Sequence, residues 1–264
     1  MNPDDDDVDV AAAWNANAAT WTAHVRAGYD RYRELFTLPA FLEFIPSLRG
    51  LQVLDLGCGE GHNTRVLARL GAAMTGVDIS ERMIAAAQTA EAEERLGIVY
   101  HVASFTRLEH LEDDSFDAAV STMALMDSPR FADTARAVFR VLRPGGGLYV
   151  SVLHPCFITP GLSWHRDEAG RETHLLVADY FADRTYVERW RFSKAPEASG
   201  AEPFVVPRFG FRLEDYINGL CHAGFRITRC VEPRPTAAQS ELHPWLDRWR
   251  KHAALVLFIA AIKD

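Results

Sequence analysis

Between Asp55 and Asp78 two carboxylates bracket three glycines spaced Gly57-x-Gly59-x-Gly61. Glycine lets the main chain take a positive φ and lets a ligand touch the backbone without meeting a Cβ. A helix that starts directly after such a turn offers unpaired N–H groups and a partial positive charge, which suits a carboxylate or a phosphate. An acid at the tip of a neighbouring strand, the place of Asp78, can accept both hydroxyls of a ribose. Together these residue types describe a nucleoside site.

The elements that must hold them are legible around the turn. Leu51 to Leu56 is a short apolar run rich in branched side chains, the pattern of a strand buried on both faces. His62 to Leu70 carries Val66, Leu67 and Leu70 at helical spacing, and a second apolar run, Ala72 to Val77, ends in Asp78. Strand, glycine turn, helix, strand and acid make up half of a nucleotide-binding unit. A dinucleotide fingerprint would place its third glycine at position 62, where this chain has His62; here that glycine comes one place earlier.

With Asp55 two residues before the first glycine, "LDLGCGEG" closely resembles motif I of the class I S-adenosylmethionine-dependent methyltransferases, and "GVDIS" resembles their ribose-binding segment. "VLRPGG" before a further strand is a second, structural hallmark. The resemblance implies an α/β, Rossmann-like, doubly wound fold with a seven-stranded, mostly parallel sheet, and S-adenosyl-L-methionine as cofactor. It implies cofactor contacts from Asp55, Gly57, Cys58, Gly59, Gly61 and Asn63, and from Asp78, Ile79 and Met83 after the second strand. Ser104 and Phe105 would lie near the adenine, and Ser121, Thr122 and Met123 would flank the transferred methyl. Ser104 stands where many relatives have an acid that accepts from the adenine amino group, which weakens that contact.

The remaining pattern divides the chain into an N-terminal helical lid (1–50), the cofactor core (51–153), an inserted cap (154–210) and a C-terminal helix and strands completing the core (211–264). In the lid, Pro39 stands early in a second helix; Tyr29, Tyr32 and His24 are the residues expected to face a ligand. Ile98 to Ala103, Phe116 to Met123 and Leu148 to Leu153 read as strands three to five, with a helix after Ser128-Pro129 that stops at "RPGGG". From His154 the alternation breaks into an aromatic-rich segment patterned like antiparallel strands. Leu213, Tyr216, Ile217, Leu220 and Cys221 then share a helix face, before strands at Phe225 to Val231 and Ala253 to Ile262. All six tryptophans lie outside the cofactor core, where they would shape an acceptor pocket or fill a second packing layer.

Ligands of open α/β sheets sit beyond the carboxyl ends of the strands. That placement nominates His154 as a catalytic or substrate-orienting group, because a histidine titrating near pH 6.5 suits taking a proton from a phenol or an ammonium. The alternative is a histidine hydrogen-bonded inside the hinge of the cap. Tyr29, Tyr32, Asp127, Trp164 and Tyr180 are the candidate substrate residues, although Asp127 also reads as a surface acid beside a helix start. Pro155-Cys156 resembles the nucleophile of cytosine-5 methyltransferases, against which stands the usual inertness of a buried cysteine. His154, Cys156, His165 and His174 lack zinc spacing, so no metal is expected.

Composition narrows the function. A formal charge of −8 argues against broad binding to nucleic acid or an anionic membrane. The four cysteines form no CxxC pair and fit a reduced cytoplasmic protein, and the acidic run Asp4 to Asp7 reads as a frayed, solvated tail. The expected partner is therefore a small-molecule methyl acceptor, with no membrane and no stated oligomeric state. A tRNA-directed enzyme on the same fold and a non-catalytic binder of the cofactor or of its product S-adenosyl-L-homocysteine are the alternatives.

Overall fold

The computed structural model describes residues 3–182, 185–192 and 202–264. Helices α1 (Pro3–Arg26) and α2 (Leu38–Phe44) precede β1 (Gln52–Leu56), α3 (His62–Arg69), β2 (Ala73–Asp78), α4 (Glu81–Glu94) and β3 (Val99–Val102). Next come β4 (Phe116–Thr122), α5 (Phe131–Val141) and β5 (Leu142–Leu153). Two hairpins follow, β6 (Ser163–Arg166) with β7 (Glu172–Leu176), and β8 (Thr185–Trp190) with β9 (Phe204–Phe209). After them lie α6 (Leu213–Ala223), β10 (Phe225–Val231), α7 (Ala237–Leu242), α8 (Asp247–Lys251) and β11 (Val256–Lys263).

Seven strands form one sheet in the order β10-β11-β5-β4-β1-β2-β3, with β11 antiparallel to both neighbours and β1 to β5 mutually parallel. This is the doubly wound, mostly parallel sheet that the sequence predicts. The apolar run of β1 has a direct cause: Leu54 and Leu56 pack with Val138 of α5 and Leu220 of α6, while Val53 packs with Leu67 of α3 and Ile84 of α4. Both faces of the strand are covered, and each such buried aliphatic side chain contributes roughly 1.5–3 kcal/mol. The winding reverses between β1 and β4, so a crevice opens beyond their carboxyl ends. Ser80 caps α4 by accepting from the Met83 amide, and Gly224 ends α6 at φ 103°.

Four details differ from the sequence reading. The acidic run is not a frayed tail: α1 begins at Pro3, and Asp7 is buried. β5 begins at Leu142, before the proline–glycine run, because the register jumps from Phe116↔Leu142 to Ala118↔Gly147 and the intervening residues bulge, with Gly145 at φ 80°. Cys221 is exposed although it sits on α6. Two short helices, α7 and α8, fill the connection between β10 and β11 that showed no clear period. The parts of the expected cap at 183–184 and 193–201, and Met1 and Asn2 of the expected lid, lie outside the described residues.

Candidate cofactor and acceptor cavity

A cavity of about 490 Å³ occupies the crevice, within the ~300–1,000 Å³ usual for small-molecule sites. Its floor is the glycine turn after β1 together with Asp78, Phe105 and Met123, which stand at or just after the ends of β2, β3 and β4. Helix α1 roofs it with Val10, Trp14 and Trp21. This helix is pinned to the core through Asn15, which accepts from Ser80 Oγ at 2.7 Å, and through Arg26 Nε, which donates to Glu60 at 3.1 Å.

The three glycines serve different purposes. A Cβ at Gly57 would lie 2.3 Å from Ala124 Cβ, and one at Gly61 would lie 2.4 Å from the Tyr100 hydroxyl. Gly59 (φ 55°) has nothing within 4 Å of that position and lines the cavity, so its backbone is bare toward a ligand. Its N–H donates to Asp78 Oδ2 at 2.9 Å, while Asp78 Oδ1 accepts from the Ser80 amide at 2.9 Å. These bonds hold the carboxylate on the cavity wall, and burial pushes its pKa up to about 6. Asp55, also raised to about 6 by burial, is not on that wall; it accepts from Thr64 Oγ1 at 2.6 Å and so ties β1 to α3.

The wall also presents groups that lack a hydrogen-bond partner. Asn63 Nδ2 donates to Thr122 Oγ1 at 2.8 Å, leaving Asn63 Oδ1 buried without a hydrogen bond. Arg33 presents Nε and Nη2, both buried and without a hydrogen bond; the Asp30 carboxylate stands 3.9 Å from Nε. These two nitrogens form one edge of the guanidinium, the geometry that takes a carboxylate in bidentate fashion. His62 lies on the same wall, and burial together with the Arg33 charge pushes its pKa down to about 4. An acceptor and a double donor that make no hydrogen bond complement an ammonium and a carboxylate. Sequence reading missed Arg33, which precedes α2 in an irregular helical turn and carries no motif.

The far half of the cavity is aromatic. Tyr29, Tyr32, Trp190 and Trp249 line it, and the Tyr32 hydroxyl accepts from Arg248 Nη2 at 2.6 Å and from Trp249 Nε1 at 3.1 Å. Arg248 and Trp249 arrive from α8, beyond the reach of any local signal. Asp127 is not a surface acid: it is buried on the cavity wall in an ion pair with Arg208, which also grips Glu188. That triad fastens the β8–β9 hairpin to the loop after β4, and burial raises the Asp127 pKa against the pull of Arg208.

The remaining expected residues are placed as follows. Gly57, Cys58, Asn63, Ile79, Met83, Ser104, Phe105, Thr122 and Met123 line the cavity, whereas Gly61 and Ser121 pack behind it, Ser121 donating to the Leu56 carbonyl at 2.9 Å. Trp164 stacks edge-on against Trp249, and the Tyr180 hydroxyl accepts from the Leu213 amide; neither reaches the wall. Nor does His154. Its Nδ1 accepts from the Cys156 amide at 3.2 Å, its Nε2 pairs with Glu232 at 2.8 Å, and burial lowers its pKa. One ring nitrogen is taken up by the turn after β5 and the other by Glu232 just after β10, so the ring expected to meet a substrate is held away from the cavity wall. His24 packs against Tyr29 and does not line the cavity, and neither does Cys156. Among the described residues no group of three or more His, Cys, Asp or Glu side chains is arranged to hold a metal ion, and no helix is long and apolar enough to cross a membrane.

Comparison with known proteins agrees with this architecture. A family profile described as a methyltransferase domain matches residues 54–150. The chain is 37% identical over 119 residues to a ubiquinone biosynthesis O-methyltransferase of Nitrosococcus oceani, a match covering 44% of this chain and 50% of that protein. It thus spans about half the length of the curated relatives it matches. A crystal structure of an S-adenosylmethionine-dependent methyltransferase from Mesorhizobium loti superposes with a TM-score of 0.68 at 31% identity, covering 85% of this chain and 96% of that one. A Listeria monocytogenes structure superposes with the same TM-score at 27% identity, over 86% of this chain and 96% of its own. The bare turn, the strand-tip carboxylate and this whole-chain likeness agree: the chain belongs to the S-adenosylmethionine-dependent methyltransferases, whose cofactor is S-adenosyl-L-methionine.

Proposed function

We propose that this chain moves a methyl group from S-adenosyl-L-methionine to a small molecule with an aromatic or apolar body, by in-line displacement, in the cytoplasm. The observation that carries the reading is the buried Arg33 edge and Asn63 Oδ1, none of whose atoms makes a hydrogen bond, on the wall that also holds Asp78 and the bare Gly59. A zwitterionic amino acid joined through sulfur to a ribose would satisfy all of these groups, so the residues present fit the cofactor.

When bound, the cofactor supplies an electrophilic methyl carried by a sulfonium. Arg33 holds its carboxylate, Asn63 Oδ1 accepts from its ammonium, and Asp78 accepts from its ribose hydroxyls. Asp55 acts through Thr64, fixing the start of α3 and with it the glycine turn. Ile79, Met83 and Phe105 enclose the base, and Thr122 and Met123 stand beside the transferred group. The acceptor lies among Tyr29, Tyr32, Trp190 and Trp249, which orient it for attack while α1 excludes water. In this reading residues 1–50 act as the lid, 51–153 with 211–264 as the core, and 154–210 as the cap.

The test is transfer of a labelled methyl from the cofactor, with a metabolite extract and total tRNA offered in parallel. Label entering a low-mass compound is the expected result. Label entering tRNA would overturn the small-molecule reading, and tight binding of S-adenosyl-L-homocysteine with no labelled product from either pool would leave a cofactor sensor.

A further inference from the structure

A third unpaired group lies at the opposite end of the cavity, on α1. Asp7 is 5% exposed, lines the cavity, and has its Oδ1 buried without a hydrogen bond. Its other oxygen is fully occupied. Oδ2 accepts from Thr106 Oγ1 at 3.2 Å and stands 3.5 Å from Arg107 Nη2 and 3.6 Å from Arg130 Nη2. The two cations explain how a carboxylate is tolerated there; they do not use Oδ1.

The hydroxyls beside it have directions set by that bond. Thr106 gives its single proton to Asp7, so the 2.7 Å contact between Thr106 Oγ1 and Ser104 Oγ is completed by the Ser104 proton. Ser104 Oγ in turn accepts from the Thr106 amide at 3.3 Å. Ser104 thus spends its proton and one lone pair on Thr106, and the oxygen of this wall left with no hydrogen bond at all is Asp7 Oδ1. The surrounding wall is Ile79, Met83, Ser104 and Phe105, next to the strand-tip acid Asp78. A nucleoside with its ribose on Asp78 would bring its base within reach of that neighbouring wall. Leaving a buried carboxylate oxygen unpaired is costly, and an N–H donor on the base relieves the cost.

We propose that Asp7 reads the exocyclic amino group of the cofactor's adenine, so that the contact the sequence left weak at Ser104 is supplied by helix α1 instead. This rests on the reading that the cavity takes S-adenosyl-L-methionine. Its consequence is that docking of the lid and recognition of the base are one event: Asp7 secures α1 to Thr106 with one oxygen and accepts from the base with the other.

The experiment compares calorimetric affinities of S-adenosyl-L-homocysteine and of its 6-deamino analogue, in which hydrogen replaces the amino group. The wild type is expected to prefer the amino compound by about tenfold or more, as sites built around a hydrogen bond do. Asp7→Ala is expected to bind the two compounds within about threefold of each other, and so is Asp7→Asn, because its single amide oxygen is claimed by Thr106 and the two arginines and its amide nitrogen is left for the base. Because each ratio is internal to one folded variant, a general loss of affinity does not blur it. A wild type indifferent to the amino group, or an Asp7→Ala protein that keeps the wild-type ratio, would overturn the proposal. Failure of the wild type to bind either compound would overturn the cofactor reading itself.

Discussion

Asp78 illustrates how a single side chain can link stability, pH and binding. Its burial raises its pKa to about 6, so the folded protein holds a proton there that the unfolded chain has released. For a group raised in this way, the stabilising contribution is complete below the unfolded value near 3.9 and is lost as pH rises through about 6. Binding runs the other way, since only the ionised carboxylate accepts from both ribose hydroxyls. Affinity for S-adenosyl-L-homocysteine is therefore expected to fall as pH drops below about 6, and Asp78→Asn is expected to lose at least tenfold, about 1.4 kcal/mol, at pH 7. Calorimetry between pH 5 and 8 checks both, and a variant with wild-type affinity would remove Asp78 from the site. His62, with a pKa near 4, stays neutral across that range, while Asp55 titrates within it at about 6, so the part of the profile that Asp78→Asn abolishes is the part that belongs to Asp78. At this scale the sequence marks residues whose chemistry is written close together: Gly57, Gly59, Asp78 and the Thr122-Met123 segment line the cavity, whereas Gly61 and Asp55 do not. It is silent on Arg33 and Arg248 and reads Asp7 as part of a frayed tail, because their positions depend on contacts far along the chain.

Among the elements, β1 and β4 were legible because strands covered on both faces must be apolar throughout, and that constraint is local; the edge strand β3, with Val99 and Val102 exposed, was legible only from its branched residues. The start of β5 was not, since the bulge over Arg143 to Gly146 is set by pairing with β4 and not by the glycines themselves. The turn after β5 shows the same limit. His154 carries the right chemistry for a base, but its amide donates to Leu255 and its carbonyl accepts from Phe157 and Ile158, so the residue organises a turn. His154→Ala is expected to cost about 1–3 kcal/mol of stability, lowering the melting temperature by several degrees, with cofactor affinity unchanged. Because burial depresses the His154 pKa, its contribution is present above pH ~6.5 and fades as pH falls through the lowered value. Thermal unfolding with and without S-adenosyl-L-homocysteine checks this; an unchanged melting temperature with lost turnover would restore the histidine to the reaction.

Across the whole molecule, the sheet places the bare turn and the strand-tip acid at one mouth, and three distant segments complete the wall. Helix α1 brings Asp7 and Trp14, the turn before α2 brings Arg33, and α8 brings Arg248 and Trp249. The glycine turn, Asp78 and the strand ends fall within the matched residues 54–150, while Asp7, Arg33, Trp190, Arg248 and Trp249 fall outside them. That division is why the fold could be read early and the acceptor could not. The central claim is that the Arg33 edge and Asn63 Oδ1, buried without hydrogen bonds, take the amino-acid end of the cofactor while Asp78 takes its ribose. A crystal structure of the complex with S-adenosyl-L-homocysteine measures this most directly. The account predicts the ligand carboxylate against Arg33 Nε and Nη2 and the ribose hydroxyls on Asp78; a ligand seated with its carboxylate away from Arg33, or a cavity that stays empty at saturating ligand, would contradict it.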